Sequence, residues 1–193
     1  MILTGNAIQE AVQLGDISIS PFSVDQLGPN SYDFRLGKRC KVYCEDELDC
    51  AKDNPTVNGQ FGKEGLLLQP HRVYLFNTHE TIGSERYVSI IRGRSSVGRL
   101  GLFIDITADL IDLGSIGQLT LQLHAVVPVR VYPLMLIGQV TFWQVDGVVR
   151  VYSGKYKGLQ SPVASLAYVD ARQTKEFYES NMDGRTVQPT NRF

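Results

Sequence analysis

Between residues 118 and 124 apolar and polar side chains alternate without a break. Leu119, Leu121 and Leu123 share one face of an extended chain, and Gln118, Thr120, Gln122 and His124 share the other. One face is therefore core, and the other is solvent or a site. From residue 17 onward the same short-period pattern recurs in runs of Val, Ile, Leu, Tyr and Phe, broken by Gly, Pro, Asn and Asp. Residues 32–36, 40–44, 65–68, 73–77, 87–92, 102–107, 118–125, 129–132, 136–145 and 148–152 are predicted as strands. Many short strands with turn signals between them predict a sandwich or barrel rather than alternating βαβ units. One helical pattern stands out in the first half: Ile8, Ala11 and Val12 within residues 6–14, with Asn6 as the expected N-cap, Gln9 three residues on, and Gly15 as the stop. Residues 45–64, with Asn54-Pro55 among several breakers, read as a long excursion.

Composition narrows the picture. A chain of 193 residues suits one domain, expected over 1–170, and is long enough to bury a core. The polar remainder, 171–193, carries Pro189 and reads as a tail, partly helical or flexible. A net charge of −1 gives no electrostatic case for a nucleic-acid or anionic-membrane partner, so any phosphate binding rests on a few local arginines. No apolar run approaches the roughly 20 residues needed to cross a bilayer, and the first residues lack a secretion signal. A cytoplasmic protein is the expectation. Cys40, Cys44 and Cys50 are the only cysteines, an odd number that argues against a disulfide framework. Zinc is the sharper reading of that cluster. Cys40, Val42 and Cys44 alternate in a strand-like run, however, so small buried or half-buried side chains are the reading taken, and no metal ligand is assigned.

Several residues could carry chemistry. Gly93-Arg94-Ser95-Ser96 lies between two strand-like runs, and Arg99 follows five residues after Arg94. Backbone N–H groups, two hydroxyls and a planar guanidinium suit phosphate oxygens, although a solvated turn has the same composition. His124 shares a strand face with Gln122 at roughly 7 Å, and reads as a surface or interface histidine before a proton carrier. His71 and His79 receive no role, and Asp105 and Asp109 read as solvated loop carboxylates.

The order of the motifs is more specific than any one of them. Pro29-Asn30-Ser31-Tyr32-Asp33-Phe34-Arg35-Leu36-Gly37 is followed by Arg94-Ser95-Ser96-Val97-Gly98-Arg99-Leu100-Gly101-Leu102. Then come Thr107-Ala108-Asp109-Leu110-Ile111-Asp112-Leu113-Gly114 and Gly117-Gln118-Leu119-Thr120-Leu121. Pro133-Leu134-Met135-Leu136-Ile137-Gly138-Gln139 and Tyr152-Ser153-Gly154-Lys155-Tyr156 complete the set. Together they resemble the dCTP deaminase family of the dCTP deaminase/dUTPase superfamily, from about residue 1 to residue 168. The resemblance implies a mainly β, distorted β-barrel or jelly-roll of the dUTPase-like type, with a short N-terminal helix and a C-terminal lid and tail. It implies a homotrimer with sites between subunits, acting on dCTP or dUTP with Mg²⁺ held by the triphosphate. It implies hydrolytic deamination of dCTP to dUTP as the reaction.

Residue by residue, the resemblance assigns Arg94, Ser95, Ser96 and Arg99 to the triphosphate and the reacting base, with Ser95 and Arg99 catalytic. Ala108 falls where the backbone meets the pyrimidine. Asp112 falls beside the deoxyribose, where the dUTPase branch activates water. Tyr152 and Lys155 fall in the lid. Two positions depart from the pattern. Gln122 stands where deaminases carry a proton-handling glutamate, and Leu159 stands at the usual lid glutamine, with Gln160 one residue on as a substitute. A neutral amide cannot take up a proton at useful pH, and general acid–base help is typically worth on the order of 10²–10⁴ in rate. Three outcomes follow from Gln122: an impaired deaminase, a dUTP diphosphatase using Asp112, or a non-catalytic nucleotide-binding or trimeric structural homologue.

Overall fold

A computed structural model describes residues 1–172 and 174. The first helix, α1 (Gly5–Gln13), presents Ile8 and Ala11 to the core. Its cap is Thr4, whose Oγ1 accepts from the Ala7 N–H at 3.4 Å, and not the predicted Asn6. Thr4 is extended, and the helical turn already includes Gly5, so Asn6 lies inside the helix.

The rest is mainly β, as the alternation predicted. Eleven strands follow: β1 (Ser18–Ser20), β2 (Tyr32–Tyr43), β3 (Thr56–Gly59), β4 (Leu66–Leu68), β5 (Tyr74–Gly83), β6 (Tyr87–Gly93), β7 (Leu102–Phe103), β8 (Leu110–Ile111), β9 (Gly117–Ala125), β10 (Val129–Val131) and β11 (Leu136–Gln144). One strongly curled sheet runs β7-β9-β5-β2-β11-β6-β8, with β1 paired to β5 and β3 paired to β2; β10 and β4 form a separate pair. Tyr32, Phe34, Phe76, Leu121 and Phe142 are fully buried inside the curl. Glu80 is buried with them and is satisfied there. Its carboxylate pairs with Arg35 Nε at 2.7 Å, accepts the Arg35 N–H at 2.8 Å, and accepts from Gln26 Nε2 at 3.2 Å. Removing either partner of such a pair would cost about 3–5 kcal/mol.

Where strand boundaries differ from expectation, packing supplies the reason. The runs 32–36 and 40–44 join into β2, which slips register against β5 between Leu36 and Cys40. Gly37 lies in the slip, where an added Cβ would sit 2.5 Å from the Asn77 side-chain amide. The predicted strand 102–107 stops at Phe103: beyond the Leu102–Ala125 and Phe103–His124 pairs the register breaks, and the Gln122 N–H bonds to the Ile104 carbonyl rather than to that of Asp105. Residues 148–152 form no strand: they follow the left-handed Gly147, and Val148 is almost fully exposed. The excursion 45–64 contains β3, a short addition beside β2. The turn after Gly93 is a one-turn helix, α2 (Ser95–Gly98). Cys40 is buried, and burial pushes its thiol up to about 12, whereas Cys44 and Cys50 are exposed, against expectation. Among the described residues no helix is long and apolar enough to cross a membrane. A helical segment begins at residue 167; most of the predicted tail, 171–193, lies outside the described residues.

Candidate active site

The polar face of β9 is the floor of the site. Leu119, Leu121 and Leu123 are buried beneath it, which obliges Gln118, Thr120 and Gln122 to point the other way. These three line a cavity of about 570 Å³, walled by Ile106, Thr107, Ala108 and Asp112 on one side and by Tyr152, Tyr156, Leu159 and Val163 on the other. A cavity of this size, mostly apolar with a few convergent polar groups, suits a small organic ligand.

The segment 152–163, expected to form the lid, is docked by two main-chain bonds and one to a side chain. Tyr152 N–H donates to the Leu113 carbonyl at 2.6 Å, Gln118 N–H to the Leu159 carbonyl at 2.8 Å, and Val163 N–H to Thr120 Oγ1 at 3.3 Å. Tyr156 ties the segment to itself, its hydroxyl accepting from the Leu166 N–H at 2.8 Å. Gly117 makes the close approach possible: a Cβ there would lie 2.6 Å from the Leu159 carbonyl oxygen.

The two glutamines differ in freedom. Gln118 is spent on structure, its Oε1 accepting from Asn77 Nδ2 at 3.0 Å and its Nε2 donating to the His79 carbonyl at 3.1 Å. Gln122 stands opposite Leu75 in the β5–β9 ladder, and its backbone N–H bonds to the Ile104 carbonyl at 3.0 Å; its amide has no hydrogen-bond partner among the described residues. Among the described residues, Asp112 is the only charged one lining the cavity.

Of the residues singled out in the sequence, Ala108, Asp112, Gln122 and Tyr152 meet in this cavity. The others do not. Arg94 caps α2 and its Nε pairs with Asp33 at 3.0 Å, while Ser95, Ser96 and Arg99 are exposed. Burial raises the Asp33 carboxyl, and the Arg94 guanidinium partly offsets that. Lys155 donates to the Leu166 carbonyl at 3.1 Å and pairs with Asp170, which holds its ammonium above the ordinary lysine range. Gln160 lines no part of the cavity; its carbonyl accepts from Arg39 at 3.1 Å. His124 faces the Arg72 carbonyl at 3.4 Å and is likewise outside the cavity.

Asp105 corrects the reading of a solvated loop carboxylate. It is half-buried, and its Oδ2 is buried without a partner among the described residues. Burial raises its carboxyl first, the nearby Asp109 raises it further, and the Ala108 N–H opposes both. Its side chain lines a neighbouring groove with Arg92 and Asp109, which pair at 3.4 Å. Nothing in the local sequence marks Asp105 as different from Asp109. Tyr156, Thr120 and Arg39 were also missed, although Thr120 shares the legible polar face of β9.

Comparison with known proteins gives the family. The family described as "dCTP deaminase-like" matches residues 2–145. The chain belongs to this family. A protein of Hathewaya histolytica is 43% identical over 171 residues, covering 88% of this chain and 99% of its own length. One from Clostridium botulinum (strain Alaska E43 / Type E3) is 42% identical over 171 residues, covering 88% and 98%. One from Leptospira biflexa serovar Patoc (strain Patoc 1 / Ames) is 42% identical over 172 residues, with the same coverage. All three are named "dCTP deaminase, dUMP-forming". That product differs from the dUTP expected from the sequence. The crystal structure of 2'-deoxycytidine 5'-triphosphate deaminase from Agrobacterium tumefaciens superposes with a TM-score of 0.58 at 22% identity. The match covers 73% of this chain and 47% of that one, and it establishes the shared fold.

Proposed function

We propose that this chain is a dUMP-forming enzyme that cleaves dUTP to dUMP and pyrophosphate, with deamination of dCTP impaired at Gln122. The observation that carries the reading is the pairing in one cavity of the Asp112 carboxylate with the Gln122 amide. Asp112 accepts a proton from water as that water attacks the α-phosphorus; the bond to the bridging oxygen breaks and pyrophosphate leaves. Gln122 can bind a base but cannot carry protons between water, ring nitrogen and leaving ammonia. The names of the relatives support dUMP as the end product.

Tyr152 and Ala108 both line the cavity, where Tyr152 would pack on the nucleoside and the Ala108 backbone would meet the pyrimidine. The triphosphate needs cations that the described lining of this cavity does not supply, since Asp112 is the only charged residue among those described there. Arg94, Ser95, Ser96 and Arg99 of a second copy would supply them, as in a homotrimer with inter-subunit sites, and Lys155 would exchange Asp170 for phosphate. Mg²⁺ travels with the triphosphate, and the hard oxygen donors Asp112 and Thr107 are of the type it accepts, directly or through water. When bound, it neutralises phosphate charge.

Deamination of dCTP to dUTP is the second reading. The Gln122 N–H bonds to the Ile104 carbonyl, which brings the next residue, Asp105, near Gln122. A carboxylate there could carry the proton, although its side chain lines the neighbouring groove rather than the cavity. Ion-exchange analysis of the products formed from dUTP and from dCTP, each with Mg²⁺, separates the readings. dUMP and pyrophosphate from dUTP, with no dUTP, dUMP or ammonia from dCTP, are expected. Ammonia release from dCTP at a rate matching dUTP cleavage overturns the impaired-deaminase reading, and no product from either overturns both.

A further inference from the structure

Three polar side chains face the cavity from β9, and their hydrogen-bonding capacity is unequally committed. Gln118 has its acceptor and one amide proton fixed by Asn77 and His79. Thr120 Oγ1 accepts from Val163 N–H in the docked lid. Gln122 alone keeps both amide atoms unpaired among the described residues while lining the cavity. Its position is nonetheless fixed, because Leu121 and Leu123 on either side are fully buried and its backbone N–H is tied to Ile104. A free amide on a rigid strand is a reading head, not a surface side chain.

Resting on the pyrimidine triphosphate reading above, we infer that Gln122 is the specificity-determining residue for the base, and that its amide admits uracil and cytosine alike. Uracil presents an N3–H donor beside the O4 acceptor. Cytosine presents the reverse, an N3 acceptor beside an amino donor. A glutamine amide holds one acceptor and two donors, so a half-turn of its terminal group matches either edge with two hydrogen bonds. A glutamate at the same place has acceptors only: it takes one hydrogen bond from either base, from uracil N3–H or the cytosine amino group, and sets its second oxygen against uracil O4 or cytosine N3. The amide therefore supplies the donor that a carboxylate lacks for the second position of either edge.

The test is calorimetric titration of the wild-type protein and two variants with the α,β-imido analogues of dUTP and dCTP, in Mg²⁺. Wild type is expected to bind the two within about threefold of each other. Gln122→Glu should weaken both analogues by about tenfold or more, the size of one mispaired buried polar group, and leave their ratio within about threefold. Gln122→Met, which deletes both amide functions at similar length, should weaken both analogues and leave their ratio within about threefold. A wild-type preference above about thirtyfold for either base overturns the inference without reference to any variant. So does undiminished binding of both analogues by a folded Gln122→Glu protein. Failure of wild type to bind either analogue overturns the pyrimidine reading itself.

Discussion

The floor of the β9 cavity and the α2 turn both carry residues suited to a nucleotide, yet the fold treats them in opposite ways. On β9 the chain gathers its own partners: the 106–112 loop and the lid close around Gln122 and Thr120, and the lid is secured by backbone bonds. On α2, Ser95, Ser96 and Arg99 stand exposed, and Arg94 is engaged by Asp33. The cavity is mostly apolar with one carboxylate, whereas the turn offers cations and hydroxyls without a cavity. Under the proposed function, neither is a triphosphate site alone. The difference teaches that one copy of the chain keeps its enclosed apolar cavity apart from its exposed cations and hydroxyls, and the proposed inter-subunit site would bring the two together.

The sharpest way to break that comparison is complementation. Asp112→Asn and Arg99→Ala should each lower dUMP formation by on the order of 10²–10⁴, the usual range for a lost catalytic proton acceptor and an upper range for a lost cation. Co-refolding the two inactive variants should restore activity if each site takes Asp112 from one subunit and Arg99 from another. No recovery in an assembly of demonstrated mixed composition would place both residues in one subunit's site.

A smaller effect is expected at the lid. Gly117→Ala places a methyl group 2.6 Å from the Leu159 carbonyl oxygen and should cost the Gln118–Leu159 hydrogen bond. One such bond is worth about 1 kcal/mol, so KM should rise by about fivefold with kcat nearly kept. Faster proteolysis within residues 150–165 would accompany it. Unchanged KM and proteolysis would mean that the docked lid is not the nucleotide-binding conformation.

The smallest effect concerns stability. Burial raises the Asp105 carboxyl, so its protonated form is favoured by folding. Its contribution is fully present below the ordinary aspartate value and is lost as pH rises through the raised one. Asp105→Asn, which mimics the protonated state, should stabilise the protein at neutral pH by roughly 1 kcal/mol, with no gain in acid below the ordinary aspartate value. Thermal melts across that range decide it. A stabilisation independent of pH would show that the gain comes from packing and not from the charge.

What was legible in the sequence was local or ordered along the chain. The alternation over 118–124 determined that Gln122 faces away from the core, because strand periodicity depends only on neighbours. The spaced blocks identified the family, and with it the kinds of chemistry to look for. The tertiary structure decided which polar groups are spent and which are free. Gln118 and Gln122 look equivalent on one strand face, but Gln118 is claimed by Asn77, 41 residues away in sequence. Asp105 and Asp109 look alike on one loop, but Asp105 has an oxygen buried without a partner, while Asp109 has Arg92. Hydrogen bonding and desolvation depend on what the fold brings alongside a group, and no local pattern contains that information.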